Sequence, residues 1–410
     1  MLGGAGKTTV LLMLAGRLEP SCGWYALMQR YKGGRLGDAL RKLDAQELTT
    51  SYKPQAVERL RHLPDLRRNL ADLRLDFDIV HALRLGGYER KSAEELNANE
   101  LQRVSIAACL SKDAELYLLD CPSDHLDIAQ RAQVAKLIQE KAKQAPVVVA
   151  DNDIAFLSRA CNDISIFYGD GWGMPSRLYS AKEAIGAFVE GVLPKEELRI
   201  RARGKPGESP AQRAKRLTGQ NELLFELRGV QKQFDGNALQ VDGEILRNER
   251  VGLVGADWTG KSTLLEIIAG KESYSGLLRG KFTFSYKPEH LPQRAVLKGL
   301  SKEMLRLLGI PLRGRPRVTK SLRQRIAIAK CLGAEADIYL LDQPSDGLTA
   351  EERLAVAELL RAKRCAIIAD HDAWLVGRVA DRAGLFVRTD GRSRVEWTSA
   401  KEAIGKITSE

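Results

Sequence analysis

The chain has 410 residues, 44% of them hydrophobic and 29% charged, a globular composition long enough for two or three domains. No apolar run approaches the roughly 18 residues of a membrane span, and the first residues lack a signal-peptide cleavage pattern. Six scattered cysteines without a Cys-x-x-Cys pair argue against a disulfide scaffold, a zinc ribbon or a cysteine-bound iron–sulfur cluster, so a reducing, cytoplasmic setting is expected. The 64 Lys+Arg against 53 Asp+Glu give a net charge of +11, which favours a polyanionic partner such as nucleic acid.

In chain order the first motif is Gly4-Ala5-Gly6-Lys7-Thr8-Thr9, the latter part of a GxxxxGK[ST] phosphate loop whose first glycine position falls on Met1. No residue remains ahead of it for the strand that feeds such a loop. Because a missing central strand leaves ladder groups unpaired, a sequence shortened at its start is expected. An insertion over 31–48 is followed by Ser51-Tyr52-Lys53-Pro54-Gln55 and, later, by Asn97-Ala98-Asn99 ahead of Gln102-Arg103. Leu116–Asp120 and Val147–Ala150 are near-continuous apolar runs of the buried parallel-strand type. Cys121 follows the first run and Asn152 lies just beyond the second. From Lys195 to Arg216 the chain is rich in Lys and Arg, interspersed with Gly and Pro. That composition suits a solvated basic hinge, either a plain linker or a nucleic-acid contact.

The second half repeats the first. Gly260-Lys261-Ser262 answers Gly6-Lys7-Thr8, Ser285-Tyr286-Lys287-Pro288 answers Ser51–Pro54, and Gln324-Arg325 answers Gln102-Arg103. Leu340-Leu341-Asp342 matches Leu118–Asp120, and Ser399–Gly405 matches Ser180–Gly186 residue for residue. Five matches in one order mean two copies of one domain. Here the phosphate loop, Gly255-Ala256-Asp257-Trp258-Thr259-Gly260-Lys261-Ser262, is complete, with a strand over 248–255 before it and a helix over 263–270 after it. Its glycines let backbone N–H groups turn toward phosphate oxygens, and the helix N-terminus adds its positive end. Lys261 neutralises terminal phosphates and Ser262 can ligate Mg²⁺, with Asp342, at the end of the 338–342 strand, as the acidic partner. Strands alternating with helices predict α/β domains, each a mainly parallel sheet covered by helices.

The phosphate loops, the Lys-Pro-Gln/Glu segments, the "ELQR" segment, "LLDxPSDxLD" and His371-Asp372, in this order, resemble twin ATP-binding cassette proteins. More narrowly they resemble subfamily E, the ribosome-recycling ATPase also called RNase L inhibitor. The insertion at 31–48 resembles that family's helix-loop-helix, and Tyr168-Gly169 through Gly191–Arg199 resembles its first hinge. The family's N-terminal iron–sulfur domain has no counterpart in this sequence, and no iron–sulfur cluster is expected.

The resemblance implies two tandem cassette domains arranged head to tail, residues 1–190 and 219–395, with a basic hinge at 191–218 and a tail at 396–410. It implies ATP with Mg²⁺ as cofactors. The nucleotide contacts would come from Gly4, Gly6, Lys7, Thr8 and Thr9 in the first domain and from Gly255, Gly260, Lys261, Ser262 and Thr263 in the second. Phe234 is the candidate for stacking on adenine, a core role being equally open. The signature segments would be Asn97, Ala98 and Asn99 and Thr319, Lys320 and Ser321, both without the family's glycine pair; a solvated side chain is the expected state of Lys320. Metal contacts would come from Thr8, Gln55 and Asp120 and from Ser262, Glu289 and Asp342. The glutamate that polarises the attacking water is replaced by Cys121 and Gln343, and the switch histidine is Asn152 in one domain but His371 in the other. A carboxamide has no useful basicity and a thiol is mostly protonated at neutral pH, and general-base help is worth roughly 10²–10⁴-fold, so slow hydrolysis is expected. Asp124 and Asp346 are the alternative bases. The implied partners are a ribosomal subunit, the small one first, its rRNA, and release or initiation factors, with no membrane. An active recycling ATPase, a non-hydrolysing ribosome clamp and a degenerate pseudo-ATPase all stay open.

Overall fold

The computed structural model describes residues 6–45, 47–62, 73–88, 91–168, 173–200, 222–234, 237–291, 300–311 and 318–409. It divides into two compact units, residues 1–126 with 130–200 and residues 127–129 with 201–410. Both are α/β.

The first unit runs α1 (Lys7–Leu14), α2 (Gly23–Arg30), α3 (Arg35–Asp44), β1 (Thr50–Lys53), α4 (Phe77–Ala82), α5 (Ala98–Leu110), β2 (Leu116–Asp120), α6 (Ile128–Ala142), β3 (Val147–Ala150) and α7 (Ile154–Ala160). Short strands follow, β4 (Asp163–Ile164), β5 (Phe167–Tyr168), β6 (Met174–Pro175) and β7 (Tyr179–Ser180), then α8 (Ala181–Glu190), β8 (Val192–Leu193) and β9 (Leu198–Arg199). Among the described residues its parallel sheet is β1-β2-β3. Leu101, Ile106, Ala107 and Leu110 of α5 pack on Tyr117 and Leu119 of β2, so the apolar face of the helix is buried against the strand that ends at Asp120.

The second unit runs β10 (Leu223–Phe234), β11 (Asn237–Leu246), β12 (Arg250–Gly255), α9 (Lys261–Ile268), β13 (Ser275–Arg279), β14 (Phe284–Lys287), α10 (Lys302–Leu307), α11 (Lys320–Gly333) and β15 (Ile338–Asp342). It closes with α12 (Ala350–Arg361), β16 (Ala366–Ala369), α13 (Ala373–Val379), β17 (Arg382–Thr389), β18 (Arg392–Ser399) and α14 (Ala400–Ser409). These strands form a nine-stranded sheet in the order β13-β10-β11-β18-β17-β12-β16-β15-β14. Strand β12 lies between β16 and β17, parallel to both, and all six of its residues are buried. That explains the apolar run 251–255 that follows its buried Arg250, and it puts the phosphate loop at the carboxyl end of a central strand, where α/β sheets bind ligands.

Three boundaries differ from the sequence expectation. The helix pair near the insertion begins at Gly23, ahead of residue 31, because the break between its helices falls at the 31–34 turn, where Gly33 takes φ 82°. Residues 192–199, expected in the hinge, form the β8–β9 hairpin of the first unit, where Leu193 is buried and the Tyr179 hydroxyl accepts the Lys195 N–H at 2.8 Å. Within the expected tail of 396–410, residues 396–409 end β18 and form α14, whose Ala400, Ala403 and Ile407 join a buried cluster with Val254 and Val376. The i, i+3, i+7 spacing of those residues on one helix face is what draws them in. Residues 201–221, including Arg201 and Arg203, lie outside the described residues. Among those described, no helix is long and apolar enough to cross a membrane.

Candidate functional site

The two phosphate-loop helices start alike. The residues ahead of α1 and α9, Gly6 and Gly260, are left-handed at φ 83° and 96°, and among the described residues neither helix has a side-chain cap. The first-turn N–H groups are therefore not satisfied by a capping side chain, which suits an anion. In the second unit Gly255 takes φ 149°. A Cβ there would meet the Phe386 carbonyl oxygen at 2.7 Å, so only glycine fits where the loop leaves β12.

Lys261 is buried, and its Nζ donates to the carbonyls of Gly255 at 2.9 Å and Ala256 at 2.6 Å. Burial lowers its pKa, opposed by the charges of Asp257, Asp127, Asp342 and Glu289. The Ser262 hydroxyl hydrogen-bonds the Asp342 carboxyl, which burial pushes up to about 6. Buried Asp342 Oδ1 has no hydrogen-bond partner among the described residues. The first unit repeats this. Thr8 hydrogen-bonds Asp120, whose carboxyl burial likewise raises, and Asp120 Oδ1 is again buried without a partner among the described residues. Tyr52 adds a hydroxyl 3.5 Å from the other Asp120 oxygen. An orphaned carboxylate oxygen beside a hydroxyl fits Mg²⁺, which takes one or two protein oxygens and completes its shell with phosphate and water. No group of three or more His, Cys, Asp or Glu able to hold a metal by itself occurs among the described residues. Gln55 and Glu289, the other metal candidates, are exposed at the ends of β1 and β14.

The residue after Asp120 and the residue after Asp342 sit in a strained backbone. Cys121 takes φ 45° and Gln343 φ 47°. Each is held by a pair of side chains that the sequence picks out as repeats without assigning them to the site. Lys53, 0% exposed, donates from Nζ to the carbonyls of Asp120 at 2.9 Å and Cys121 at 3.2 Å; Gln102 Nε2 donates to Cys121 at 2.8 Å and Pro122 at 2.9 Å. In the second unit Lys287, 1% exposed, donates to the carbonyls of Asp342 and, at 3.1 Å, Gln343, while Gln324 Nε2 donates to Gln343 at 2.5 Å. The signal was present: a lysine and a glutamine repeated in both halves where neither needs to be charged or exposed. Cys121 is buried, and burial raises its thiol pKa far above the ordinary value, so it stays protonated. Gln343 is only partly buried.

Asp151 and Asp370, one residue before the switch positions, form matching buried knots. Asp370 accepts the Ser345 N–H at 2.8 Å, the Ser345 hydroxyl at 2.6 Å and the Asp372 N–H at 2.8 Å; Asp151 accepts the equivalent groups of Ser123 and Asp153. The residue that follows each knot reaches its phosphate loop. Asn152 Oδ1 accepts from Lys7 Nζ, and His371 Nε2 lies 2.9 Å from Asp257 Oδ1.

The signature residues serve their own helices. Asn97 caps α5, accepting the Glu100 N–H at 2.9 Å, and Asn99 donates to the His125 carbonyl at 2.8 Å. Ala98, the first residue of α5, is half-buried. Thr319 caps α11 through the Leu322 N–H at 3.1 Å, and Ser321 donates to Glu352 at 2.8 Å. The Lys320 ammonium pairs with Asp346 at 2.9 Å on the surface, which occupies both that lysine and one alternative base. Thr9 is exposed on α1, Thr263 half-buried on α9, and Phe234 ends β10 with its side chain outside the described residues.

A family model described as ABC transporter matches residues 2–124. The ABC transporter E family member 1 of Arabidopsis thaliana is 28% identical over 93% of this chain and 71% of its own. An aliphatic sulfonates import ATP-binding protein, SsuB 3 of Rhodococcus jostii, is 32% identical over 41% of this chain and 73% of its own. The crystal structure of the complex of archaeal ribosomal stalk protein aP1 and archaeal ribosome recycling factor aABCE1 superposes with a TM-score of 0.89 at 29% identity, covering 99% of this chain and 86% of that one.

Proposed function

The chain belongs to the ATP-binding cassette family, as a divergent relative of subfamily E, and from that premise we propose that it binds ATP with Mg²⁺ in both units and associates with a ribosomal subunit and its rRNA during recycling or initiation of translation. The observation that carries the nucleotide part is the orphaned Asp342 oxygen beside the Ser262 hydroxyl, at the mouth of a glycine-bounded loop that holds a buried lysine. The ribosomal part rests on the likeness to the recycling factor over nearly the whole chain.

In this reading the N–H groups after Gly260 bind phosphate oxygens, and Lys261 leaves the two carbonyls it now holds to neutralise the terminal phosphates. Ser262 and Asp342 would hold Mg²⁺, which supplies charge neutralisation of the β- and γ-phosphates. Gln343 orients water without removing its proton, and Cys121 is sealed from solvent, so hydrolysis is slow at both sites. The same two substitutions favour the clamp over the recycling ATPase: nucleotide drives association, and turnover is not needed for it.

The test pairs two measurements. Calorimetric titration with ATP·Mg²⁺ should show binding that Lys261→Ala largely abolishes and Lys7→Ala reduces less. Sedimentation with purified ribosomal subunits should show association, the small subunit first, that a non-hydrolysable ATP analogue strengthens and Lys261→Ala makes insensitive to the analogue. Binding unaffected by Lys261→Ala refutes the nucleotide site, and no association in any nucleotide state refutes the ribosomal role.

A further inference from the structure

An acid stands inside the second phosphate loop. Asp257 is the third residue of Gly255–Ser262, a segment that in the proposed function surrounds a polyanion with N–H donors. A carboxylate there opposes the ligand, since like charges a few ångströms apart repel most strongly where water is partly excluded. Its side chain is only 35% exposed, and Oδ1 lies 2.9 Å from His371 Nε2. Asp257 is also the foremost of the acidic charges felt by buried Lys261. The next residue, Trp258, is held in the left-handed region at φ 61° with 66% of its surface exposed, a backbone cost that a bulky side chain does not incur for packing alone. The loop is thus closed upon itself. Lys261 is tied to the carbonyls of Gly255 and Ala256, and the switch histidine is tied to the loop's own carboxylate. The first unit differs, since its switch residue Asn152 accepts from Lys7.

We propose that Asp257 is an electrostatic gate and specificity determinant of the second nucleotide site: it engages His371 and sets a negative charge in the phosphate path, so that the site admits a nucleoside triphosphate as its magnesium complex and rejects the metal-free anion. The inference rests on the reading of this loop as a nucleotide site. Metal neutralises the charge that Asp257 repels, so removing the carboxylate helps the bare anion more than the complex. Once that contact is broken, His371 can turn to the bound phosphates.

The test uses the full chain with Lys7→Ala, so that the second site dominates. ATP is titrated at constant ionic strength with Mg²⁺ and with EDTA into three proteins: the parent, Asp257→Asn, which keeps size and shape, and Asp257→Ser, which guards against a local effect of the amide. Both variants should bind ATP·Mg²⁺ more tightly, by something on the order of tenfold. Metal-free ATP should gain more, so that the ratio of the two affinities shrinks. Loss of folding would not change that ratio selectively. Parent-like affinities and ratio in both variants overturn the gate while leaving the nucleotide site standing. Weaker binding in both also overturns it, by making Asp257 a support of the loop. No binding above the level of added Lys261→Ala, in the parent and both variants alike, brings down the gate together with the site reading on which it rests.

Discussion

Lys287 donates its ammonium to the main-chain carbonyl of Gln343 at 3.1 Å, and in the other unit Lys53 makes the same hydrogen bond to Cys121 at 3.2 Å. In both places a lysine shut away from solvent holds a residue whose backbone is left-handed without being glycine. A buried cation is costly unless its donors are used, and here they are used on the turn that follows Asp120 and Asp342.

Replacing either lysine by methionine keeps its length but leaves buried carbonyls without donors. The Lys287→Met and Lys53→Met proteins should lose about 1–3 kcal/mol of stability, the usual cost of orphaned buried acceptors. Urea unfolding measures it, and an unmoved midpoint in both would mean that the carbonyls find water.

In the proposed function, hydrolysis should respond unequally to changes at Cys121 and Gln343. Gln343→Glu places a carboxylate at a partly exposed position beside Asp342 and should raise steady-state phosphate release by roughly 10²-fold. Cys121→Glu should gain little, because the position is 3% exposed and its switch partner is Asn152. A parent that already turns over as fast as Gln343→Glu would show that another group is the base.

The Asp342 carboxyl carries a pH signature. Its pKa in the folded chain is about 6, raised by burial from 3.8. Between those values the folded state holds a proton that the unfolded state has lost, so this group's contribution to stability falls as pH rises through that window and is fully present only below it. Magnesium needs the ionised form, so Mg²⁺-dependent ATP binding should weaken below pH 6. Asp342→Asn should abolish that metal dependence at every pH. An affinity flat from pH 5 to 7.5 in the parent would sink the assignment of Asp342 as metal ligand.

Arg199, Arg201 and Arg203 test the basic segment. Association with ribosomal subunits should weaken steeply with salt, as counterion release requires. Changing all three to Ala should reduce the slope by about one for each phosphate that these side chains neutralise. An unchanged slope makes the segment a linker.

Much was legible beforehand because it is local or repeated. Strands β2 and β15, buried over nearly all of their length, announce themselves as the apolar runs 116–120 and 338–342, whereas the run 147–150 is β3, which among the described residues pairs only with β2 and leaves Val148 exposed. The helix at 400–409 was hidden within an expected tail, although Ser399–Gly405 repeats Ser180–Gly186, because α14 is held by packing against β12 and α13, which lie far away in sequence.

The sequence by itself determined the duplication, the α/β class, the phosphate-loop motifs and the presence of Cys121 and Gln343 after the two repeated aspartates, since each depends on residue types at fixed short spacings. Only the tertiary structure decided which charges meet. That Lys53 and Lys287 are buried clamps, that Lys320 is spent on Asp346, and that His371 faces Asp257 could not be read from spacing. Their partners are separated by tens to more than a hundred residues, and burial and electrostatic pairing depend on distances that exist only once the chain has folded.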